Sequence, residues 1–266
     1  CHFLGEIMAT ITEAATLDGA TPFTLLGTNY TWGNFFIPTI FSRPGLISET
    51  LDSIARVSPK SRDMEFFILT ERVFLDQAPS ECNGVKIEII ESDTAISLPK
   101  KINHGLFLLS RKVDYICWIG DDDLFGQNWL QKASLALENN PEAIIHPQYN
   151  YFFGEKGAAN TGSVWEHVDS KSKGFRLSLI INGNPYSSLC ASSKSTLIRF
   201  PYARRDAARR IGFQDWDFNA RTLCSGIHHM VIPKTTHFIR QKKQSAKIES
   251  ASLSLRPAVS SFFGMS

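Results

Sequence analysis

Residues 114–125 read Asp-Tyr-Ile-Cys-Trp-Ile-Gly-Asp-Asp-Asp-Leu-Phe. An apolar run over 115–119 stops at three consecutive carboxylates, Asp121, Asp122 and Asp123. A short apolar run that ends in a break reads as a buried strand. Three adjacent like charges repel one another, so the fold must have a reason to keep them together. A hard divalent cation held through oxygens is one reason. Ligands of open α/β sheets bind outside the carboxyl ends of strands, which is where these residues fall. The other reading is a solvated acidic turn, with Asp123 capping the following helix. These residues alone leave both open.

Outward from this stretch, the preceding chain alternates strands and helices. Residues 35–40 form a short strand interrupted at Pro38, and Pro44 opens a helix with Leu46, Ile47, Leu51 and Ile54 on its apolar face. Residues 65–69 and 85–91 read as strands, and Ile102, Gly105, Leu106 and Leu109 mark a helix. After the carboxylates, a helix is expected over 128–138. The order β-α-β-β-α-β-α predicts a single α/β domain, a mainly parallel central sheet flanked by helices. Beyond Pro141, strands are expected over 143–146, 148–153, 186–192 and 227–233, and helices over 175–181 and from 193. Residues 154–174 are rich in Gly, Ser and Lys and read as a mobile surface loop. The predicted division is a helix and linker over 1–34, a main domain over 35–245 with halves 35–125 and 126–245, and a flexible tail or lid over 246–266.

The chain has 266 residues, a formal net charge of +2 and an ordinary apolar fraction of 43%. Near-neutral charge gives no reason to expect a nucleic-acid partner. The five cysteines are scattered and odd in number, which argues against a disulfide framework or a cysteine zinc site. No stretch is long and apolar enough to span a bilayer, and no basic–apolar–small pattern opens the chain. A cytoplasmic protein is expected, with peripheral association at the inner face of the membrane left open. The first residue is Cys, so a piece of a larger multidomain chain is expected.

Five ordered segments carry a resemblance, the first in two parts. Ile37-Pro38-Thr39-Ile40-Phe41-Ser42-Arg43 precedes Leu51-Asp52-Ser53-Ile54. Asn103-His104-Gly105-Leu106 precedes Gly120-Asp121-Asp122-Asp123-Leu124. Gly212-Phe213-Gln214-Asp215-Trp216-Asp217 follows with Arg221, and Thr236-His237-Phe238-Ile239-Arg240 closes the set. Together they resemble the family 2 glycosyltransferases of GT-A fold. The resemblance implies a Rossmann-like nucleotide-sugar half, an acceptor half, and inversion at the transferred sugar. By the same resemblance, Pro38, Thr39, Arg43, Glu71, Asn103, Asp121 and Arg240 would contact the nucleotide sugar. Asp122, Asp123 and His237 would hold Mn²⁺ or Mg²⁺, Asp123 otherwise being a helix cap. The implied partners are a nucleotide-sugar donor, with a UDP-sugar favoured, and a glycan or lipid-linked acceptor of surface-polysaccharide synthesis.

Three positions depart from the family pattern: Gly120 stands where Asp is usual, Glu71 replaces an acidic pair, and Gln214 replaces Glu. Transfer needs a base for the acceptor hydroxyl, and Asp215 is the carboxylate expected to serve. Capping of a helix by Asp215 is the plainer reading. Asp217 is expected to position the motif, and Trp216 to pack or to stack on a sugar. Two other functions stay open. Sugar-1-phosphate nucleotidyl transfer would want glycines after strand one, where the sequence has Thr39-Ile40-Phe41-Ser42-Arg43-Pro44-Gly45. A non-catalytic nucleotide-sugar-binding or scaffolding domain of a larger synthase is the other.

Overall fold

The computed structural model describes residues 35–41, 44–57, 64–82, 85–92, 97–108, 114–154, 161–243 and 246–263. The expected N-terminal helix, and Arg43, lie outside them. Among the described residues, ten strands join in one sheet of mixed direction. Strands β1 (Phe35–Phe41), β2 (Met64–Glu71), β4 (Val85–Ser92) and β5 (Tyr115–Cys117) run parallel as β4-β2-β1-β5. The two-residue β3 (Glu81–Cys82) lies antiparallel on β4.

Beyond β5 the directions mix. Strand β9 (Ala191–Ser193) is antiparallel to β5 and to β7 (Ile144–Gly154). Strand β10 (His229–Gln241) runs parallel to β7, and β6 (Leu124–Phe125) antiparallel to β10. Strand β8 (Val164–Glu166) pairs antiparallel with β7. The mainly parallel sheet expected from sequence therefore describes one half, and the whole sheet is mixed.

Helices cover both faces, as the continuous apolar strands require. Phe67, Ile68 and Leu69 are all buried. On one face α1 (Pro44–Val57) and α3 (Trp129–Asn139) bring Ile47, Leu51, Ile54, Trp129, Leu130 and Leu137 against Cys117 and Ile119. On the other, Leu106 of α2 (Leu98–Leu108), Leu197 of α5 (Lys194–Arg199) and Phe218 of α6 (Gln214–Cys224) meet Ile116 and Trp118. Residues 116–119 thus alternate between the two cores with the period of a strand. Each such side chain buried contributes about 1.5–3 kcal/mol. Among the described residues no helix is long and apolar enough to cross a membrane.

Several local expectations change. β5 ends at Cys117, where the Trp118 amide turns to the Cys190 carbonyl at 2.9 Å. The two strands expected over 143–153 are one, running through Pro147. The ladder to β10 is irregular just past that position, between Ile232 and Thr236, so the missing proline donor falls beside a break. Gln148 bridges the break, its amide donating to Thr235 Oγ1 at 3.0 Å and its side chain accepting from the Lys234 amide at 2.8 Å.

Residues 161–174, expected as mobile loop, carry β8 and buried His167. Their polar groups bond inward: Asp169 accepts from the amides of Lys171 and Val231 and pairs with His228 at 3.0 Å. Only Ala191–Ser193 of the strand expected over 186–192 forms, and the helix expected over 175–181 is the short α4 (Ser178–Asn182). Residues 246–263, expected as a flexible tail or lid, form α7 (Ala246–Ser252) and a 3-10 turn (Val259–Phe263), and bury Ser250, Leu255 and Ser261.

Candidate functional site

The three carboxylates leave β5 on a turn and re-enter the sheet as β6. Their residues are 3%, 6% and 9% exposed from Asp121 to Asp123, so a solvated acidic turn does not describe them. Asp123 caps no helix either. Helix α3 starts six residues after it, at Trp129, with Asn128 preceding and no side-chain cap.

Helix α1 braces the turn. Thr50 Oγ1 donates to the Asp123 carbonyl at 2.9 Å, and Ser53 Oγ accepts from the Phe125 amide at 3.1 Å. Gly120 has a physical reason. A Cβ there would lie 3.1 Å from Asp123 Oδ2 and 3.3 Å from Asp122 Oδ1, because both carboxylates fold back over it.

The far end of β10 supplies cations. The Lys242 ammonium pairs with Asp122 Oδ2. The Arg240 amide donates to Asp123 Oδ1 at 2.9 Å, and its guanidinium to the Asp122 carbonyl at 3.0 Å and Glu49 Oε2 at 2.5 Å. The same guanidinium lies 4.7 Å over the Phe153 ring. Lys242 and Glu49 were missed in the sequence, because their partners are more than a hundred residues away and no local pattern marks them.

His237 is fully buried, and its Nε2 stands 3.7 Å from Asp123 Oδ2. Neither ring nitrogen has a hydrogen-bond partner. Burial lowers its pKa to about 3, so the ring is neutral at pH 7. An unpartnered buried imidazole beside a carboxylate suits a divalent transition ion, and the oxygens suit Mg²⁺ or Mn²⁺. Asp123, His237 and Asp122 are the donors chemistry would choose. Among the described residues, no group of three or more such side chains is arranged as a metal cage; Lys242 stands on Asp122 instead.

The other expected donor contacts are spread along the parallel half. Pro38 and Thr39 lie near the carboxyl end of β1, in register with Phe67 and Ile68. Glu71 ends β2 and is paired with Lys101, which is buried. Asn103 does not face an open site. Its Nδ2 donates to the Tyr202 carbonyl at 2.8 Å and its Oδ1 accepts from the Tyr202 amide at 3.0 Å, so it braces the chain after α5.

Asp215 sits in the first turn of α6, where the helix dipole favours negative charge. Phe213, just before the helix, is left-handed with φ 56°, a costly conformation for a bulky residue. It makes a sharp elbow that presents Asp215. Asn184 Nδ2 donates to Asp215 Oδ2 at 3.1 Å, and Asn184 Oδ1 accepts from Asn219 Nδ2 at 2.9 Å. Asp217 is buried and faces away: it accepts from Arg221 Nε at 2.9 Å and from Ser261 of the tail. Arg221 also donates to the Pro201 carbonyl at 2.5 Å. Trp216 is packed, its Nε1 donating to the Ile180 carbonyl at 2.6 Å, so it stacks on no sugar.

Asn184 also lines a cleft of about 210 Å³ with Trp165, Glu166, Val168, Leu179, Gly183 and Pro185. This cleft was not foreseen, since its walls come from the segment read as loop. Burial, then Cys117, then Asp215, push the Cys190 thiol up. Strand β10 joins the two ends. His237 faces Asp123 at one, and His229 at the other approaches Thr222 Oγ1 of α6 at 2.8 Å and His146 at 2.9 Å. His228, just before β10, turns to Asp169 instead.

No family model and no curated protein matches this chain. Solved structures do. The crystal structure of residues 1–349 of the S. aureus glycosyltransferase TarS aligns with a TM-score of 0.53 at 10% identity, covering 78% of this chain and 60% of that one. Its complex with UDP aligns at 0.51 with the same identity and coverage. Its complex with UDP-GlcNAc gives 0.53 at 10% identity, covering 80% and 60%. This chain thus has the fold of a glycosyltransferase domain and spans 60% of the length of those chains.

Proposed function

We propose that this chain is an inverting, metal-dependent glycosyltransferase of the GT-A, family 2 kind. It would move a sugar from a nucleotide diphosphate, with a UDP-sugar favoured, to a hydroxyl of a glycan or lipid-linked acceptor in surface-polysaccharide synthesis. The observation that carries this reading is the pairing, on a glycosyltransferase fold, of a buried carboxylate turn with a separate carboxylate bonded to Asn184, a residue that lines a cleft. That TarS was crystallised with UDP and UDP-GlcNAc favours a uridine donor.

In this reading the acceptor hydroxyl lies in the cleft. Asp215 takes its proton as the oxygen attacks the anomeric carbon, and the sugar–phosphate bond breaks with its electron pair leaving on the diphosphate. Attack from the side opposite the diphosphate inverts the carbon. Asn184 orients the carboxylate, and the Asp217–Arg221 pair fixes the helix that carries it. Arg240 would meet the diphosphate, and Pro38, Thr39, Arg43, Glu71 and Asp121 the nucleoside. Mn²⁺ or Mg²⁺ on Asp122, Asp123 and His237 would offset the charge developing on the leaving group.

A second reading, a nucleotide-sugar-binding or scaffolding domain without turnover, is favoured by one feature. Glu71 and Asp122 are both already neutralised by lysines of the same chain. Calorimetric titration of UDP and GDP, with and without Mn²⁺, separates the readings when paired with a turnover assay. Metal-dependent binding of UDP that is lost in Asp122→Asn is expected, with sugar transfer. Binding without transfer would favour the scaffold. No nucleotide binding would overturn both.

A further inference from the structure

The segment from Lys171 to Ile181 has its polarity arranged the wrong way for a surface in water. Phe175 and Ile180 turn inward and pack with Trp216, Phe213 and Tyr186. The remaining aliphatic side chains turn outward: Leu177 is 49% exposed, Leu179 41% and Ile181 61%. Val164, at 60%, and Val168 extend this apolar surface across β8. Val168 and Leu179 line one cleft, and a cluster of exposed aliphatic side chains marks a surface that meets something apolar.

Its charge says what that is. Lys171, Lys173 and Arg176 lie in the same segment, all exposed, and no acid occurs between 170 and 205. Among the described residues none of the three meets a carboxylate within ion-pair distance. Arg210 adds a charge on the exposed turn that leads to Phe213, where Arg209 is paired with Asp206 at 3.6 Å. Of the acids just before the segment, Glu166 accepts from Gln148 at 2.9 Å, and Asp169 is bonded to amides and His228. The whole chain is almost neutral at +2, so this cationic edge is a local arrangement. Aliphatic side chains among lysines and arginines on a surface element match the boundary of an anionic bilayer, where the chains enter the interface and the cations meet phosphates.

We propose that residues 171–181, with Val164 and Val168, dock the protein on an anionic membrane surface. The rigid body behind them sets the geometry. The Trp216–Ile180 hydrogen bond ties this element to α6, so docking places the cleft beside Asp215 at the membrane. The proposal names a surface and does not depend on the catalytic assignment of Asp215.

Sedimentation with vesicles tests it, using the full chain and the exposed-residue variants Leu177→Ser/Ile181→Ser and Lys171→Gln/Lys173→Gln. Wild type is expected to pellet with equimolar phosphatidylglycerol–phosphatidylcholine vesicles and to bind pure phosphatidylcholine at least about tenfold more weakly. Each double variant is expected to lose about tenfold or more in binding to the anionic vesicles. Its thermal melt should stay unchanged, because the substituted side chains are exposed. Failure of wild type to bind anionic vesicles, or equal binding by the variants, overturns the proposal. So does a change in oligomeric state on Leu177→Ser/Ile181→Ser, which would assign the patch to a second copy. Loss of sugar transfer in Asp215→Asn with vesicle binding intact would leave it standing.

Discussion

The carboxylates at the two ends of the site are held in opposite ways. On the β5–β6 turn, Asp122 and Asp123 are met by formal cations and donors from β10, namely Lys242 and Arg240. At α6, Asp215 is met by the neutral amide of Asn184, which Asn219 holds. A carboxylate locked to a cation has its charge committed. The Asn184 amide orients Asp215 without itself neutralising it. The contrast fits a site in which one end meets the charge of a diphosphate and the other accepts a proton. It also says where each end is vulnerable.

The largest effect should come from the amide-held end. Asp215→Asn keeps the size of the side chain and removes the base. Transfer is expected to fall by about 10²–10⁴-fold in kcat with nucleotide affinity little changed. Nucleotide release with acceptor present, against calorimetric binding of UDP, measures both. Full transfer by the variant would end the contrast drawn here, since Asp215 would then be only a helix-terminal residue.

Next comes the buried pair that fixes that helix. Asp217 and Arg221 are 3% and 7% exposed in their side chains, and Arg221→Ala leaves Asp217 charged without its partner. A cost of about 3–5 kcal/mol is expected, read as the shift of the urea unfolding midpoint. A loss below about 1 kcal/mol would mean that Ser261 alone satisfies Asp217.

Between the two ends lies a buried row of histidines. Burial lowers His167 to about 4 and His229 to about 3, and burial with the neighbouring His229 and His167 rings holds His146 well below its usual range. The unfolded chain binds these protons near pH 6.5, whereas the folded chain refuses them. Stability is therefore full above about pH 6.5 and falls as the pH drops toward 4, by about 1.4 kcal/mol per pH unit for each histidine. Urea midpoints at pH 7.5 and 5 check it. Unchanged midpoints would mean that the row opens to solvent before the protein unfolds.

The parallel half of the fold was legible because its signals are local. Apolar runs of strand length, Pro44 at a helix start and the 3.6-residue pattern of α1 and α3 each lie within a short window. The second half was less so. The polarity of 161–174 looked like solvation, yet His167, Asp169 and Ser170 bond within the protein. Sequence shows that a group is polar and does not show which partner takes it. The same holds at the site. Asp121–Asp123, Asp215, His237 and Arg240 stood out by type and order, whereas Lys242, Lys101, Glu49 and Asn184 matter through partners far along the chain. The position of Asn103 implies a nucleotide contact, and its side chain also bonds the Tyr202 backbone, a partner no local pattern marks.

The smallest expected effect sharpens the cation-held end. In wild type, a divalent ion approaching Asp122 competes with the Lys242 ammonium already on it. Lys242→Met keeps much of the aliphatic stem and removes the competitor. Asp122, only 8% exposed in its side chain, is then left with one cation fewer, at a cost of about 1–3 kcal/mol without metal. Mn²⁺ is expected to return that stability, and its dissociation constant to fall by up to about tenfold relative to wild type. Thermal melts across a Mn²⁺ series, on wild type and variant, read both quantities without turnover. If Lys242→Met bound Mn²⁺ no more tightly, the lysine would not be standing where the ion goes. The carboxylate turn would then be a closed structural ion pair, and the difference between the two ends would be one of packing alone.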